Sequence, residues 1–215
     1  MSITIATGTK INCAKTYGPA LVISSISNAS PAVAVFADAS SVVVGDYLEI
    51  TSGWGLLDKR IVRVSAKSTN NVTLEGIDTS STQKYSGSGS GSARRITAWE
   101  QLSQIKSMSP SGGDPKFSDI STMDDLTDKQ VPVGRNASSQ EFVLFFDPTL
   151  AWHTTVTAVT ESLTLAGMMM VFPNGSRTLA NAYWSLSRNP EAVKDEGITV
   201  KLSLSYASDA IVYPT

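Results

Sequence analysis

Residues that carry chemistry are scarce in this sequence. Cys13 is the only cysteine. It has no partner for an internal disulfide, which points to synthesis in a reducing compartment. His153 is the only histidine, and it stands next to the apolar Trp152. No nucleophile or orienting carboxylate flanks it at a catalytic spacing. The sequence has no nucleophile elbow, no HExxH and no paired-cysteine metal motif. No catalytic residue, cofactor or metal site is therefore expected, and the chain does not read as an enzyme. Charge is scarce as well. Seventeen Lys and Arg against nineteen Asp and Glu leave a net charge of −2, which gives no electrostatic case for wrapping nucleic acid. No apolar run approaches the length of about 18 residues that a membrane-spanning helix needs. The initial "MSITIATGTK" lacks a basic segment followed by an apolar run, so no secretory leader is expected. The Asn-X-Ser/Thr matches at Asn28, Asn71, Asn136 and Asn174 are what chance gives in a chain rich in Ser and Thr.

What the chain does have is strand pattern. It is 41% hydrophobic, enough to bury a core. "PALVISSIS", "AVAVFA", "DYLEIT", "RIVRVSA" and "VTLEGI" follow one another at turn-separated intervals through residues 19–77. That spacing predicts a small all-β barrel or sandwich. Lys59, Arg60, Arg63 and Lys67 share their region with Asp46, Glu49, Asp58 and Glu75, and the mixed signs predict a solvated strand face. The seam after this region is "SGSGSGS", residues 86–92, whose composition predicts a flexible linker or loop. It lacks the strand-before, helix-after context of a phosphate-binding loop.

Beyond the seam, "EFVLFF" is apolar from Phe142 to Phe146, the pattern of a strand buried on both faces. Asp147 followed by Pro148 predicts a helix start. Trp152, Val156, Val159 and Leu163 recur at i, i+4, i+7 and i+11, one apolar stripe. "MMMVF", the Pro173-Asn174-Gly175 turn and "RTLANAYWSLS" predict a hairpin. In "GITVKLSLSY", Ile198, Val200, Leu202, Leu204 and Tyr206 fall on one face. Thr199, Lys201, Ser203 and Ser205 fall on the other, a small and polar face.

Residues 109–136 break the pattern, with Asp114, Asp119, Asp124, Asp125 and Asp128 among Gly and Pro. The segment lacks the spacing of a calcium-binding loop. It is too long for a plain connector, so it is functional or orders on a partner.

The order of these features resembles the major tail tube proteins of lambda-like, long-tailed, non-contractile bacteriophages (siphoviruses). The match runs through "WEQLSQIKSMSP", the Asp-rich loop, "SSQEFVLFFDP", the "DPTLAWHTTVTAVTESL" helix, the "VFPNGSRTLANAYWSLS" hairpin and "AVKDEGITVKLSLSY". It covers about residues 93–213, joined by a first strand at "TKINCAKTY". Unlike the lambda pattern, no immunoglobulin-like domain follows in this sequence, and a β segment stands between the first strand and the rest.

The resemblance implies a mainly β fold, a β-sandwich or barrel with one flanking α-helix. The tube domain would comprise residues 1–17 and 93–215, and residues 18–92 stand as an inserted segment that would decorate the tube exterior or contribute to ring contacts; their turn spacing and the Gly/Ser tract predict a separable β module outside the bore. It implies a structural virion protein made in the host bacterial cytoplasm. Hexameric rings would stack into a tube that conducts the genome during ejection, with DNA passing through the lumen without specific binding. The partners implied are other copies of the chain, a tape measure protein, and tail terminator and tip proteins. The Asp-rich loop would order when rings stack. Phe117, Ile120, Met123 and Leu126 would anchor it on a neighbour, and Asp114, Asp119, Asp124, Asp125 and Asp128 would meet donors there. Thr199, Lys201, Ser203 and Ser205 would face the lumen or form a polar strand face. The alternative from another class is a carbohydrate- or receptor-binding β module of a tail fibre or adhesin, which predicts exposed aromatics on a concave face.

Overall fold

Two long strands organise the protein in the computed structural model, which describes residues 6–214; residues 1–5, the start of "MSITIATGTK", and Thr215 lie outside it. Strands β1 (Lys10–Ile26) and β6 (Gly91–Leu102) pair antiparallel from Ile11↔Leu102 to Ile23↔Gly91. The register shifts between Ala14 and Thr16, Thr16 and Tyr17, and Tyr17 and Ala20. Such bulges bend and twist a pair. The bend hands β1 from one partner to another. Its first residues pair with β11 (Leu165–Val171), and its last residues pair with β2 (Val33–Phe36).

Beyond the bend, β2, β5 (Asn71–Leu74), β4 (Ile61–Ser68), β3 (Tyr47–Ser52), β6 and β1 lie side by side, and the β2–β1 pairing closes them into a six-stranded barrel. Its interior holds Ile23, Phe36, Leu48, Ile50, Val62, Val64, Val72 and Leu74. The Gly/Ser tract is a packed part of this barrel rather than a linker. The Trp54 indole N–H donates to the Ser86 carbonyl at 2.6 Å. A Cβ on Gly89 would lie 2.7 Å from the Trp54 ring, and one on Gly91 would lie 1.9 Å from the Thr51 carbonyl oxygen. Gly91 and Ser92 already belong to β6. The glycines serve close approach here, not flexibility.

Before the bend, the sheet runs from β6 and β1 through β11, β12 (Arg177–Leu186), β13 (Thr199–Tyr206) and β10 (Ser139–Phe145) to β7 (Ile105–Ser111). It wraps into a sandwich-like body. Phe142, Leu144, Met168, Trp184, Val200, Leu202 and Leu204 fill it, with Trp152 and Val156 of helix α1 (Ala151–Ser162). Each such side chain contributes about 1.5–3 kcal/mol relative to exposure. The mainly β architecture with one helix is the one expected.

Several local expectations are corrected. Strand β10 alternates, with Phe142 and Leu144 buried and Phe145 40% exposed, so only one of its faces is core. Asp147 does not cap the helix. Its carboxylate accepts from the Thr149 N–H and hydroxyl, closing a turn, and α1 starts at Ala151 after Leu150. The stripe ends early. Trp152 and Val156 are buried and Val159 partly so, but Leu163 is 80% exposed because it leaves the helix in a left-handed conformation, φ 52°. Ile198 precedes β13 and is 48% exposed. Thr199 is buried, since Glu191 folds back and exchanges both backbone hydrogen bonds with it. Residues 109–136 are not irregular: β7 ends in them and a two-stranded hairpin follows.

The barrel rests on the outer side of β11 and β12. Leu179 packs there with Tyr47, Ile61, Ile96 and Tyr213. At the junction, the carboxylate of Glu49 is 4% exposed, not solvated as its charge-alternating context predicted. It accepts from Arg94 Nη2 at 2.7 Å and from Asn181 Nδ2 at 3.0 Å. Arg94 also lies over the Tyr17 ring at 4.6 Å, and the Tyr17 hydroxyl accepts from the Gly167 N–H at 2.9 Å. Strand β14 (Ile211–Tyr213) pairs with β12 and clamps the other side. The Tyr213 hydroxyl accepts from the Arg63 N–H and donates to the Glu75 carbonyl. Burial pushes this phenol up to about 12, so it stays a donor at any working pH.

Replacing Glu49 with Ala leaves the buried Asn181 amide without its acceptor. We expect a loss of about 1–3 kcal/mol, with a smaller loss for Glu49→Gln, which keeps a carbonyl there. Urea denaturation of the two variants measures this; a neutral Glu49→Ala would show that the contact does not hold the barrel in place.

Candidate assembly surfaces

The outer face of β12, β13, β10 and β7 is a ladder of hydroxyls. Cross-strand register places Ser185, Ser203, Glu141 and Ser109 in one row. Tyr183, Ser205, Ser139 and Ser111 form the next row, and Lys201, Val143 and Ser107 a third. Alternation puts these side chains outward because their neighbours Leu202, Leu204, Phe142 and Trp184 are buried. Among the sequence-predicted residues, Lys201, Ser203 and Ser205 are exposed on this face, and Thr199 is not. Charge on the ladder is nearly absent and locally balanced. Lys201 Nζ lies 2.6 Å from Glu191 Oε1. This pairing, with Glu141 nearby, raises the lysine above its usual range. The serines of β7 and β10 were missed from sequence alone. Their signal was the period of two in "SMSPS", obscured by the Pro and Gly that follow it.

The second surface is the hairpin of β8 (Pro115–Asp119) and β9 (Gln130–Arg135), a separate two-stranded sheet. It continues the β7–β10 ladder across a kink. Gly112 and Gly113 both take positive φ, 77° and 80°. A Cβ on Gly112 would lie 2.1 Å from the Ala137 carbonyl oxygen. Every residue of β8 and β9 is exposed. Phe117 and Ile120 are each 53% exposed, and Met123 and Leu126 are fully so. The tip, in contrast, is internally ordered. Asp125 accepts from the Thr122 N–H and hydroxyl and pairs with Lys129, while Asp119 accepts from the Ser121 N–H at 2.8 Å. These bonds hold the Asp119 and Asp125 carboxyls below the usual carboxylate range, and hydrogen bonding to Thr122 does the same for Asp124. The structure therefore brings Asp119, Asp124 and Asp125 together at one turn with Ile120, Met123 and Leu126. Asp114 lies at the hairpin root, where its carbonyl accepts from the Asn136 N–H.

Elsewhere the surface offers little chemistry. His153 lines a groove of about 300 Å³ with Phe146, Thr157 and Glu161, edge-on to Phe146 at 5.7 Å. Burial, reinforced by the Glu100 charge, pushes the Cys13 thiol up to about 12, an inert form. Among the described residues no cluster of three or more His, Cys, Asp or Glu could hold a metal ion. No helix among them is long and apolar enough to cross a membrane. The exposed aromatics Phe117, Phe145 and Tyr183 sit on three different strands.

The kink at Gly112 is open to mutation. Gly112→Val imposes a positive φ on a β-branched residue and a clash with backbone, so the hairpin should leave its direction. Far-ultraviolet circular dichroism should stay near wild type, because the hairpin strands are exposed and outside both cores, while proteolytic cleavage within residues 112–136 should speed up. Acidification gives a second check. Carboxyls with lowered folded pKa values stabilise the tip above their unfolded pKa and lose that contribution as pH falls through the folded value. Protection of the amides at residues 119–129, taken as the exchange rate relative to the intrinsic rate at the same pH, should therefore fall only below the ordinary carboxylate range.

No curated protein sequence matches the chain. A family model described as "Phage tail tube protein, TTP" matches residues 52–215, which include β12, β13, β10, β7 and the whole β8–β9 hairpin. The chain belongs to the phage tail tube protein family, and is thus a component of a phage tail.

Proposed function

We propose that this protein is a structural, non-enzymatic subunit. Rings of six copies stack into the tube of a long, non-contractile tail, and the genome passes through the bore at ejection. The observation that carries this reading is the four-strand hydroxyl ladder on a member of the tail tube family. A wall that lets DNA slide must not hold it, and each cationic contact to phosphate adds salt-dependent affinity. The ladder presents serines, and its one lysine is already paired with Glu191. The dimensions agree. Six copies of four strands, about 24 strands spaced about 4.8 Å and tilted about 40°, close a barrel roughly 48 Å across at the backbone. Side chains leave a bore of about 35–40 Å, wider than duplex DNA.

In this reading the ladder residues Lys201, Ser203 and Ser205 face the lumen, which also holds a tape measure protein during assembly. The hairpin, with Phe117, Ile120, Met123, Leu126 and the aspartates, carries contacts between copies. The barrel formed around residues 18–92 is an accessory body outside the bore. Terminator and tip proteins would cap the two ends of the tube, and synthesis would take place in the host cytoplasm.

Negative-stain microscopy of concentrated protein tests the reading, since it requires hollow rings or tubes with a bore of the size given above. Only globular particles at every concentration would refute it. Two substitutions probe the separate surfaces. Phe117→Ser with Met123→Ser should abolish tubes while leaving the thermal midpoint unchanged, as both side chains are exposed in the free subunit. Ser109→Arg with Ser203→Arg should leave tubes intact but retard DNA release from particles, and the retardation should fade with added salt.

A further inference from the structure

At the junction of the two bodies lies a cavity of about 380 Å³ that the tube reading does not use. Its barrel side is made by Glu49 and Arg94, register partners on β3 and β6, together with Lys59. Its sandwich side is made by Leu165 and Tyr183, register partners on β11 and β12, together with Leu163. Lys59 and Leu163 both hold a left-handed backbone, with φ 61° and 52°. Residues other than glycine rarely adopt that conformation, and those held in it gather at ligand-binding and active sites.

The side chains around the cavity have donors to spare and their carboxylate is already engaged. Glu49 Oε2 accepts from Arg94 Nη2, and Glu49 Oε1 accepts from Asn181 Nδ2. That bond and the Tyr17 ring, 4.6 Å from the guanidinium carbon, hold the Arg94 fork in place. The other N–H groups of the fork have no partner among the described residues. Lys59 makes no side-chain hydrogen bond among those residues, and its one ion pair is a long one, 3.8 Å to Asp58. Asp58 is not part of the cavity wall, and its carboxylate accepts from the Ser52 N–H. The Tyr183 hydroxyl is unpartnered among the described residues, and Tyr183 is half exposed. Tyr17, in the same wall, accepts from the Gly167 N–H, and burial keeps its phenol above the usual range and so protonated. The wall thus carries two cations against one carboxylate.

We propose that this cavity is a binding site for an oxyanion, a carboxylate or a phosphate, received by the Arg94 fork, the Lys59 ammonium and the Tyr183 hydroxyl. A ligand that only donates would find the Glu49 oxygens occupied, and a cation would meet two like charges. An oxyanion accepts from every free donor and gains charge-assisted bonds from two of them. Because Glu49 already fixes the guanidinium, binding requires little further ordering of Arg94. Leu163, 80% exposed, offers an apolar contact to a carbon stem attached to such an ion. Both bodies contribute donors, so a bound oxyanion ties the barrel to the sandwich. None of this depends on assembly into a tube.

Nuclear magnetic resonance titration of the isotope-labelled chain tests the site. Sodium phosphate and sodium butyrate are added separately, each against sodium chloride at the same ionic strength. The Arg94 Nε–H and the amides of Lys59, Leu163 and Tyr183 should shift along a saturating curve with at least one of the two. Saturation by phosphate alone assigns a phosphoryl ligand, by butyrate alone an organic acid, and by both an oxyanion of either kind. Lys59→Gln removes one charge at an unchanged backbone and should weaken binding several-fold. Tyr183→Phe removes one exposed hydroxyl and should weaken it as well. Lys194→Gln, at an exposed residue outside the cavity, should leave it unchanged. Equal shifts in chloride, no saturation with either anion, or wild-type titration of both Lys59→Gln and Tyr183→Phe would overturn the proposal.

Discussion

The fold depends on one covalent constraint: β1 and β6 each run unbroken through two hydrophobic cores. The first half of β1 and the second half of β6 lie in the sandwich and their other halves in the closed barrel, with three register shifts between. A strand pair that twists this sharply cannot keep the same neighbours along its length. β1 therefore exchanges β11 for β2, and β6 gains β3 only in its first half. The surface where the two bodies meet is a mixture of Leu179, Tyr47 and Tyr213 with the buried Glu49 carboxylate. A buried charge contributes little net stability but penalises arrangements that leave it unpaired. Here the arrangement that satisfies it joins β3 and β6 of the barrel to β12 of the sandwich.

Much of the sandwich was legible because its strands obey a period of two. "GITVKLSLSY" states its own register, and Val200, Leu202 and Leu204 are all buried. The errors cluster at the ends of elements. Ile198, Thr199 and Leu163 fit the periodic pattern but lie where the strand begins or the helix unwinds, and there backbone partners decide burial. Asp147 looked like a cap because a capping residue and a turn residue have the same short carboxylate; Thr149 took it first.

The rest was hidden for a different reason. Glycine has several uses that composition does not separate. "SGSGSGS" read as slack, yet Gly89 and Gly91 are contact points for Trp54 and the β3 backbone. "SGGDP" read as the end of order, yet Gly112 and Gly113 form a kink between two pieces of one ladder. The partners that give these glycines meaning are 35–40 residues away for Gly89 and Gly91 and about 25 away for Gly112. No local reading of the sequence reveals them. The same holds for Glu49, whose acceptor role depends on Asn181.

The distribution of charge bears on how a protein can be soluble alone and adhesive in an assembly. Along β8 and the tip, the exposed Phe117, Ile120, Met123 and Leu126 are single and separated by Ser, Thr and Asp. That spacing keeps any contiguous apolar patch small, which limits indiscriminate association. The acids also repel like hairpins from one another, by an amount that falls with salt. In the proposed tube, cations of a neighbour facing these acids would favour one docking geometry over others. The serine ladder takes the opposite course. Its one lysine is held by Glu191, so it offers no unpaired cation to a polyanion. In the proposed tube the two surfaces would divide the work by composition, the acidic and apolar hairpin meeting neighbours and the hydroxyl-lined ladder holding nothing.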